Sequence, residues 1–228
     1  MIRFAGVSKR FGSKEALAGV SWEVPAGERV VVLGASGSGK TTLLRLITME
    51  LLPTAGVVQV GDFSSQRLSG GKRIRLRRSL GIVFEDLRLI PDRNVNDNVA
   101  LALQVRGTWD RKRVLERVHE ALARVGMAER GHDPPSALSA GERQRVAVAR
   151  ALVASPAIVV ADEPTRHLSS EPVDVILDAL RETQATVVLA TNDESVARAF
   201  GGKLYRLANG HLEPAGASLG AGATTGVA

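Results

Sequence analysis

The stretch Gly34-Ala35-Ser36-Gly37-Ser38-Gly39-Lys40-Thr41 limits what this chain can fold into more than any other feature. It follows a short apolar run, Arg29 to Leu33, and leads into helical text from Thr42 to Thr48. That is the strand, loop and helix context in which G-x-x-x-x-G-K-[ST] cradles phosphate. Glycines let successive backbone N–H groups turn toward one anion, and the helix N-terminus adds its partial positive charge. Lys40 is then placed for the β- and γ-phosphates, the Thr41 hydroxyl for Mg²⁺, and Thr42 continues the phosphate-facing turn. The reading is a nucleoside triphosphate site in a parallel α/β sheet.

With 228 residues the chain can bury a sizeable core. No apolar run approaches the length of a membrane span, and Met1-Ile-Arg-Phe4 has no signal-peptide pattern, so a cytosolic location is expected unless a partner holds the protein to a membrane. The absence of cysteine excludes disulfides, thiolate metal sites and a cysteine nucleophile. Net charge is +6, and Lys72, Arg73, Arg75, Arg77 and Arg78 form one basic block while Arg111, Lys112 and Arg113 form another. Such blocks read first as solvated helix faces, with an anionic membrane surface or nucleic acid as the alternative. No aromatic residue interleaves with the first block, so base stacking has no support and no specific nucleic-acid partner is expected.

Strand text occupies Ile2 to Val7, Ala16 to Val24, Arg29 to Leu33, Val57 to Val60, Gly81 to Phe84, Ala157 to Ala161, Thr186 to Ala190 and Leu204 to Leu207. The P-loop helix is expected to run to about Leu51, before Pro53. Asn94 to Ala154 is helical text without a good strand, and Val173 to Arg181 and Glu194 to Phe200 are further helices. The plan is one domain over 1–214, with an α/β core from 1–85 and 155–214 and a helical insert over 86–154. The uncharged tail over 215–228 is expected to be disordered.

Ala157-Ile-Val-Val-Ala-Asp162-Glu163 is a buried strand ending in two carboxylates. At the carboxyl edge of a parallel sheet it lands beside the P-loop. Asp162 then holds Mg²⁺, and Glu163 orients and polarises the water that attacks the γ-phosphate. In Leu138-Ser139-Ala140-Gly141-Glu142-Arg143-Gln144-Arg145, Ser139 is an N-cap and Glu142 completes a capping box.

The P-loop, the Asp-Glu strand and this Ser-x-Gly-Glu element together resemble the ATP-binding cassette (ABC) ATPases over residues 1 to about 213. The resemblance implies an α/β P-loop NTPase core with an antiparallel β subdomain and an all-α signature subdomain. It also implies ATP and Mg²⁺ as ligands, and a homodimer with ATP sandwiched between the P-loop of one subunit and Ser139, Ala140, Gly141 and Glu142 of the other. Phe11 matches the position that stacks on adenine, with plain core packing as the alternative. Three positions depart from the family pattern. Glu85 stands where the family has Gln, and could ligate Mg²⁺ directly. Asn192 stands where it has His, and can still donate a hydrogen bond to the γ-phosphate. Ser169 stands where it has Asp. Ala140, in place of a signature glycine, is a milder change. These departures leave binding intact and threaten turnover; slow hydrolysis and a binding-only regulatory module are the two resulting expectations.

Within the family, Leu76 to Asp86, Pro91 to Leu101 and the opening Met1-Ile-Arg-Phe-x-x-Val-Ser-Lys9 look most like the cell-division ATPases of the FtsE type. That resemblance implies a polytopic membrane permease of the FtsX type as partner. It places the protein peripherally on the cytoplasmic face of a bacterial inner membrane, with the Glu85 loop and the Val95 to Leu103 helix receiving the partner. A motor subunit of a solute or lipoprotein exporter shares the same scaffold.

Overall fold

The computed structural model describes residues 1–166, 168 and 170–215. Its strands are β1 (Ile2–Phe11), β2 (Lys14–Val24), β3 (Arg29–Leu33), β4 (Ala55–Val60), β5 (Phe63–Ser64), β6 (Leu80–Val83), β7 (Ile158–Asp162), β8 (Thr186–Thr191), β9 (Lys203–Ala208) and β10 (His211–Pro214). The α-helices are α1 (Lys40–Ile47), α2 (Gly70–Ser79), α3 (Val95–Gln104), α4 (Arg111–Arg124), α5 (Ala140–Leu152), α6 (Ser170–Arg181) and α7 (Glu194–Phe200).

The strands form two sheets. An antiparallel one has the order β2-β1-β4-β5, and a six-stranded one has the order β10-β9-β3-β8-β7-β6, parallel except for the β9–β10 hairpin. The parallel strands are continuous apolar runs because both of their faces are covered. Along β3, Val31 and Leu33 enter the core beneath the helices α3 to α7. Val30 and Val32 alternate with them into a second core, shared with α1 and the antiparallel sheet. Trp22 on β2 links the layers, packing against Phe4 at 5.8 Å and Tyr205 at 5.6 Å between ring centroids.

The fold is the one expected: an α/β P-loop core, an antiparallel sheet and a helical layer. The differences lie at element ends. Helix α1 stops at Ile47, short of Leu51, because Met49 takes a left-handed backbone (φ 50°) while its side chain stays fully buried. A turn that buries Met49 outweighs the continued helical periodicity. Strands β5 and β10 are short and carry little periodic signal. Ser169, and the tail beyond Ala215 that was expected to be disordered, lie outside the described residues. Among the described residues no helix is long and apolar enough to cross a membrane.

One buried polar residue organises the entry to the helical layer. Asn98 on α3 is fully buried. Its Oδ1 accepts from Ile90 N at 2.7 Å, and its Nδ2 donates to the carbonyls of Ile90, Arg93 and Asn94 at 2.9–3.0 Å. The loop from Ile90 to Asn94 thereby obtains the backbone partners that a helix or sheet would otherwise supply. Replacing Asn98 by Ala is expected to destabilise the protein by about 3 kcal/mol, because a buried N–H and carbonyls lose their partners. Urea unfolding should show it; a change below about 0.5 kcal/mol would remove Asn98 from this role.

Candidate functional site

The register of the parallel sheet brings the site together. Leu33 at the end of β3 pairs with Thr191 at the end of β8, and Ala190 pairs with Asp162 at the end of β7. Three strand ends therefore finish on one edge, and the loops leaving them carry the P-loop, Glu163 and Asn192. The Gly34 amide donates to the Thr191 carbonyl at 3.2 Å, fixing where the P-loop begins. Two glycines in the loop are obligatory for steric reasons. A Cβ on Gly34 would stand 2.5 Å from the Leu207 carbonyl oxygen. At Gly39 (φ +109°) a Cβ would stand 2.5 Å from the Ala16 carbonyl oxygen, so the turn into α1 admits no side chain.

Lys40 opens α1 and is buried, with its Nζ donating to the carbonyls of Gly34 (2.7 Å) and Ala35 (3.2 Å). The same Nζ lies 3.2 Å from Glu163 Oε1. Glu163 is buried, and its other oxygen accepts from the Asn192 backbone N–H at 3.2 Å. Its backbone is left-handed (φ 46°), an uncommon conformation for a non-glycine residue, held by its own N–H on the Ala190 carbonyl at 2.9 Å. The strain aims the carboxylate back at the P-loop instead of along the strand.

Asp162 sits beside them. Burial pushes its carboxyl above the usual aspartate range, the neighbouring Glu163 charge adds to this, and a hydrogen bond with Thr41 opposes it. Its Oδ1 and the Ser38 hydroxyl are buried with no hydrogen-bond partner. A buried, unpartnered carboxylate oxygen next to a threonine hydroxyl suits a hard divalent cation, so Asp162 and Thr41 fit Mg²⁺. A cavity of about 360 Å³ opens in front, lined by Thr41, Asp162, Phe84 and Glu85 among others.

Glu85 is not left as an isolated negative charge. Its carboxylate pairs with the Arg166 guanidinium, from the loop after Glu163. The loop leaving β6 carries two successive left-handed residues, Leu87 (φ 58°) and Arg88 (φ 49°). Arg150 of α5 donates to both of their carbonyls, with 2.6 Å to that of Arg88. Arg88 in turn stacks on Phe84, 4.0 Å from the ring centroid.

The side chains of the remaining predicted residues make no hydrogen bond to this cluster among the described residues. The Asn192 side chain is exposed and has no hydrogen-bond partner among the described residues. Phe11 ends β1 with 46% of its surface exposed, which excludes plain core packing; Lys9 Nζ lies 5.2 Å from its ring centroid. Ser139 caps α5 and the capping box is complete, with Glu142 N on Ser139 Oγ at 3.2 Å and Ser139 N on Glu142 Oε2 at 2.8 Å. Those bonds hold the Glu142 carboxyl below the usual glutamate range. Ser139 and Ala140 are exposed, and no hydrogen bond or ion pair joins Ser139–Glu142 to the P-loop among the described residues.

Arg166, Arg150 and Arg130 escaped the sequence reading. Arg130 clamps Glu142 at 2.7 Å and also pairs with Asp133. None of the three stands in a recognisable motif. A trace was present only for Arg166, a cation three residues after Glu163 in a site with two adjacent carboxylates.

Because the folded protein holds the Asp162 proton more tightly than the unfolded chain, its stability falls as pH rises from the ordinary aspartate range to that raised value, and the loss is complete above it. Asp162→Asn is therefore expected to raise Tm in nucleotide-free solution at neutral pH, with the advantage fading on acidification, while Mg²⁺-dependent nucleotide affinity falls. A variant no more stable than the parent at neutral pH would contradict the assignment.

A family model described as ABC transporter matches residues 17–166. The methionine import ATP-binding protein MetN of Bradyrhizobium diazoefficiens is 37% identical over 95% of this chain, which spans 65% of that relative's length. The cell division ATP-binding protein FtsE of Escherichia coli is 38% identical, covering 93% of this chain and 97% of its own. Among solved structures, a dimeric post-hydrolysis state of the ATP-binding cassette MJ0796 bound to ADP and Pi superposes with a TM-score of 0.86. Its identity is 33%, over 94% of this chain and 98% of that one.

Proposed function

The chain belongs to the ABC transporter family of ATP-binding cassettes, and from that premise we propose that it is the ATP-hydrolysing subunit of an FtsE-like membrane complex. One observation carries the chemistry: the buried Lys40–Glu163 contact of 3.2 Å at the head of the P-loop helix. Phosphate oxygens are the natural replacement for Glu163 at Lys40 Nζ. Once displaced from that contact, Glu163 keeps its Asn192 N–H bond and is free to orient and polarise an attacking water. Thr41 and Asp162 would hold Mg²⁺, which would supply positive charge to neutralise the phosphates. Arg166 offsets the negative charge of Glu85, so Glu85 costs the triphosphate site less than its sequence position suggests.

The N-terminus of α5, where Ser139 and Ala140 are exposed, makes no hydrogen bond or ion pair to the P-loop of its own subunit among the described residues. It is complementary to the triphosphate of a second copy, whose helix-end charge would cap the γ-phosphate. That supports a homodimer with two ATP molecules at the interface. Phe84 and Arg88 of the loop after β6, Leu101 of α3 and Val105 just beyond it line a groove of about 330 Å³, whereas Glu85 faces the cavity in front of Asp162. We assign that groove to a helix of a polytopic, FtsX-like permease, through which the protein would be held at the cytoplasmic face of a bacterial inner membrane. A motor for a solute importer or exporter is the second reading, favoured by the near-equal identities to the import and cell-division relatives.

Hydrolysis is expected to be slow. The Asn192 side chain offers one neutral donor where a histidine would offer a larger, titratable one, and losing a preorganised donor commonly costs about 10²–10³ in rate. Steady-state phosphate release should exceed that of Glu163→Gln and should rise in Asn192→His. Turnover no higher than that of Glu163→Gln would instead make the protein an ATP-binding regulatory module.

A further inference from the structure

Helix α2 is unusual for a ten-residue element. Leu76 is its only buried residue, and five of its ten residues are cations. None of those five has an acidic partner within 4 Å among the described residues, and neither has Arg111, Lys112 or Arg113 at the start of α4. The α4 cations also sit in a first helical turn with no acidic residue, where the helix dipole disfavours positive charge. Folding explains neither cluster.

The fold brings cations of α2 beside the α3–α4 connection, whose Trp109 also lines a neighbouring pocket with Arg111. Arg75 and Arg78 of α2 line a single shallow groove with Val105, Arg106 and Trp109 from the α3–α4 connection. Apolar side chains are exposed among the charges: Trp109 is 74% exposed, Ile74 53% and Val105 40%. We infer that this face seats directly on the anionic headgroups of a phospholipid bilayer, with Trp109 entering the headgroup layer. Arginines of α2 take lipid phosphates, and the indole, apolar with one polar edge, suits the boundary between headgroups and acyl chains.

An acidic protein or a nucleic acid would satisfy the cations equally well. A base could stack on the Trp109 indole, but a nucleic acid offers nothing to the exposed Val105 and Ile74 side chains, and α2 itself has no ring for stacking. A bilayer interface accommodates both components. The surface adjoins the permease groove, sharing Arg78, Leu101, Val105 and Arg106 with it, so it would meet the bilayer beside the permease helix. It is separate from the ATP site, and the inference survives or fails independently of hydrolysis.

The test uses the full chain and phosphatidylcholine vesicles with and without phosphatidylglycerol, without nucleotide. Flotation is expected only with the anionic vesicles. Only two tryptophans are present, and Trp22 is buried, so Trp22→Phe leaves Trp109 as the sole reporter. Its emission should shift to the blue on binding. Should that variant fold poorly, the difference between the parent and Trp109→Phe gives the same reading. The double reversal Arg75→Glu with Arg78→Glu should weaken vesicle binding about 25-fold or more while leaving MgATP affinity unchanged. Absence of flotation, or flotation untouched by the reversal, would overturn the inference. So would binding with unshifted Trp109 emission, which would mark a surface for an acidic macromolecule instead.

Discussion

The buried pair between Lys40 and Glu163 is the interaction on which the site depends. Each charge is nearly removed from water, and neither could remain there alone; removing one partner of such a pair commonly costs about 3–5 kcal/mol. The two residues come from opposite parts of the chain, one at the head of α1 and one just beyond β7. Their meeting therefore requires the parallel register of β3, β8 and β7, the close approach at Gly34 and Gly39, and the left-handed backbone at Glu163. The geometry that stores strain at Glu163 is also what points its carboxylate at the phosphate cradle. A triphosphate can relieve the lysine of its partner and put the carboxylate to use.

The departures from the family pattern take on a different meaning once the side chains are placed. Glu85 in isolation reads as a liability beside bound phosphate. Paired with Arg166 it becomes half of an ion pair joining the loop after β6 to the loop after Glu163. Asn192 has no comparable compensation. Its backbone N–H supports Glu163, but its side chain has no hydrogen-bond partner among the described residues, which leaves the amide free to bond a nucleotide.

Much of this was legible in the sequence, for physical reasons. Strands buried on both faces, such as Arg29–Leu33, announce themselves as unbroken apolar text. The P-loop and the Ser139–Glu142 cap are local motifs whose hydrogen bonds close within a few residues, so their spacing alone specifies them. Long-range polar contacts were not legible. Arg166 to Glu85, Arg150 to the Leu87 and Arg88 carbonyls, and Arg130 to Glu142 each join residues that no periodicity connects. The early end of α1 was hidden as well, because burial of Met49 decides it against the helical pattern. At Asn98 the sequence showed a polar residue in helical text, and only the packed fold reveals four backbone partners around it.

In the proposed dimer one subunit leaves the ATP site half built, with a cradle in the α/β core and an exposed helix end to cap it on another copy. The most direct measurement is the solution mass of the Glu163→Gln protein, in which bound ATP is not consumed, by light scattering with and without MgATP. A monomer that becomes a dimer with MgATP, and remains a monomer when Ser139 is replaced by Glu, is the predicted result. A protein that binds MgATP at saturation and stays monomeric would contradict it.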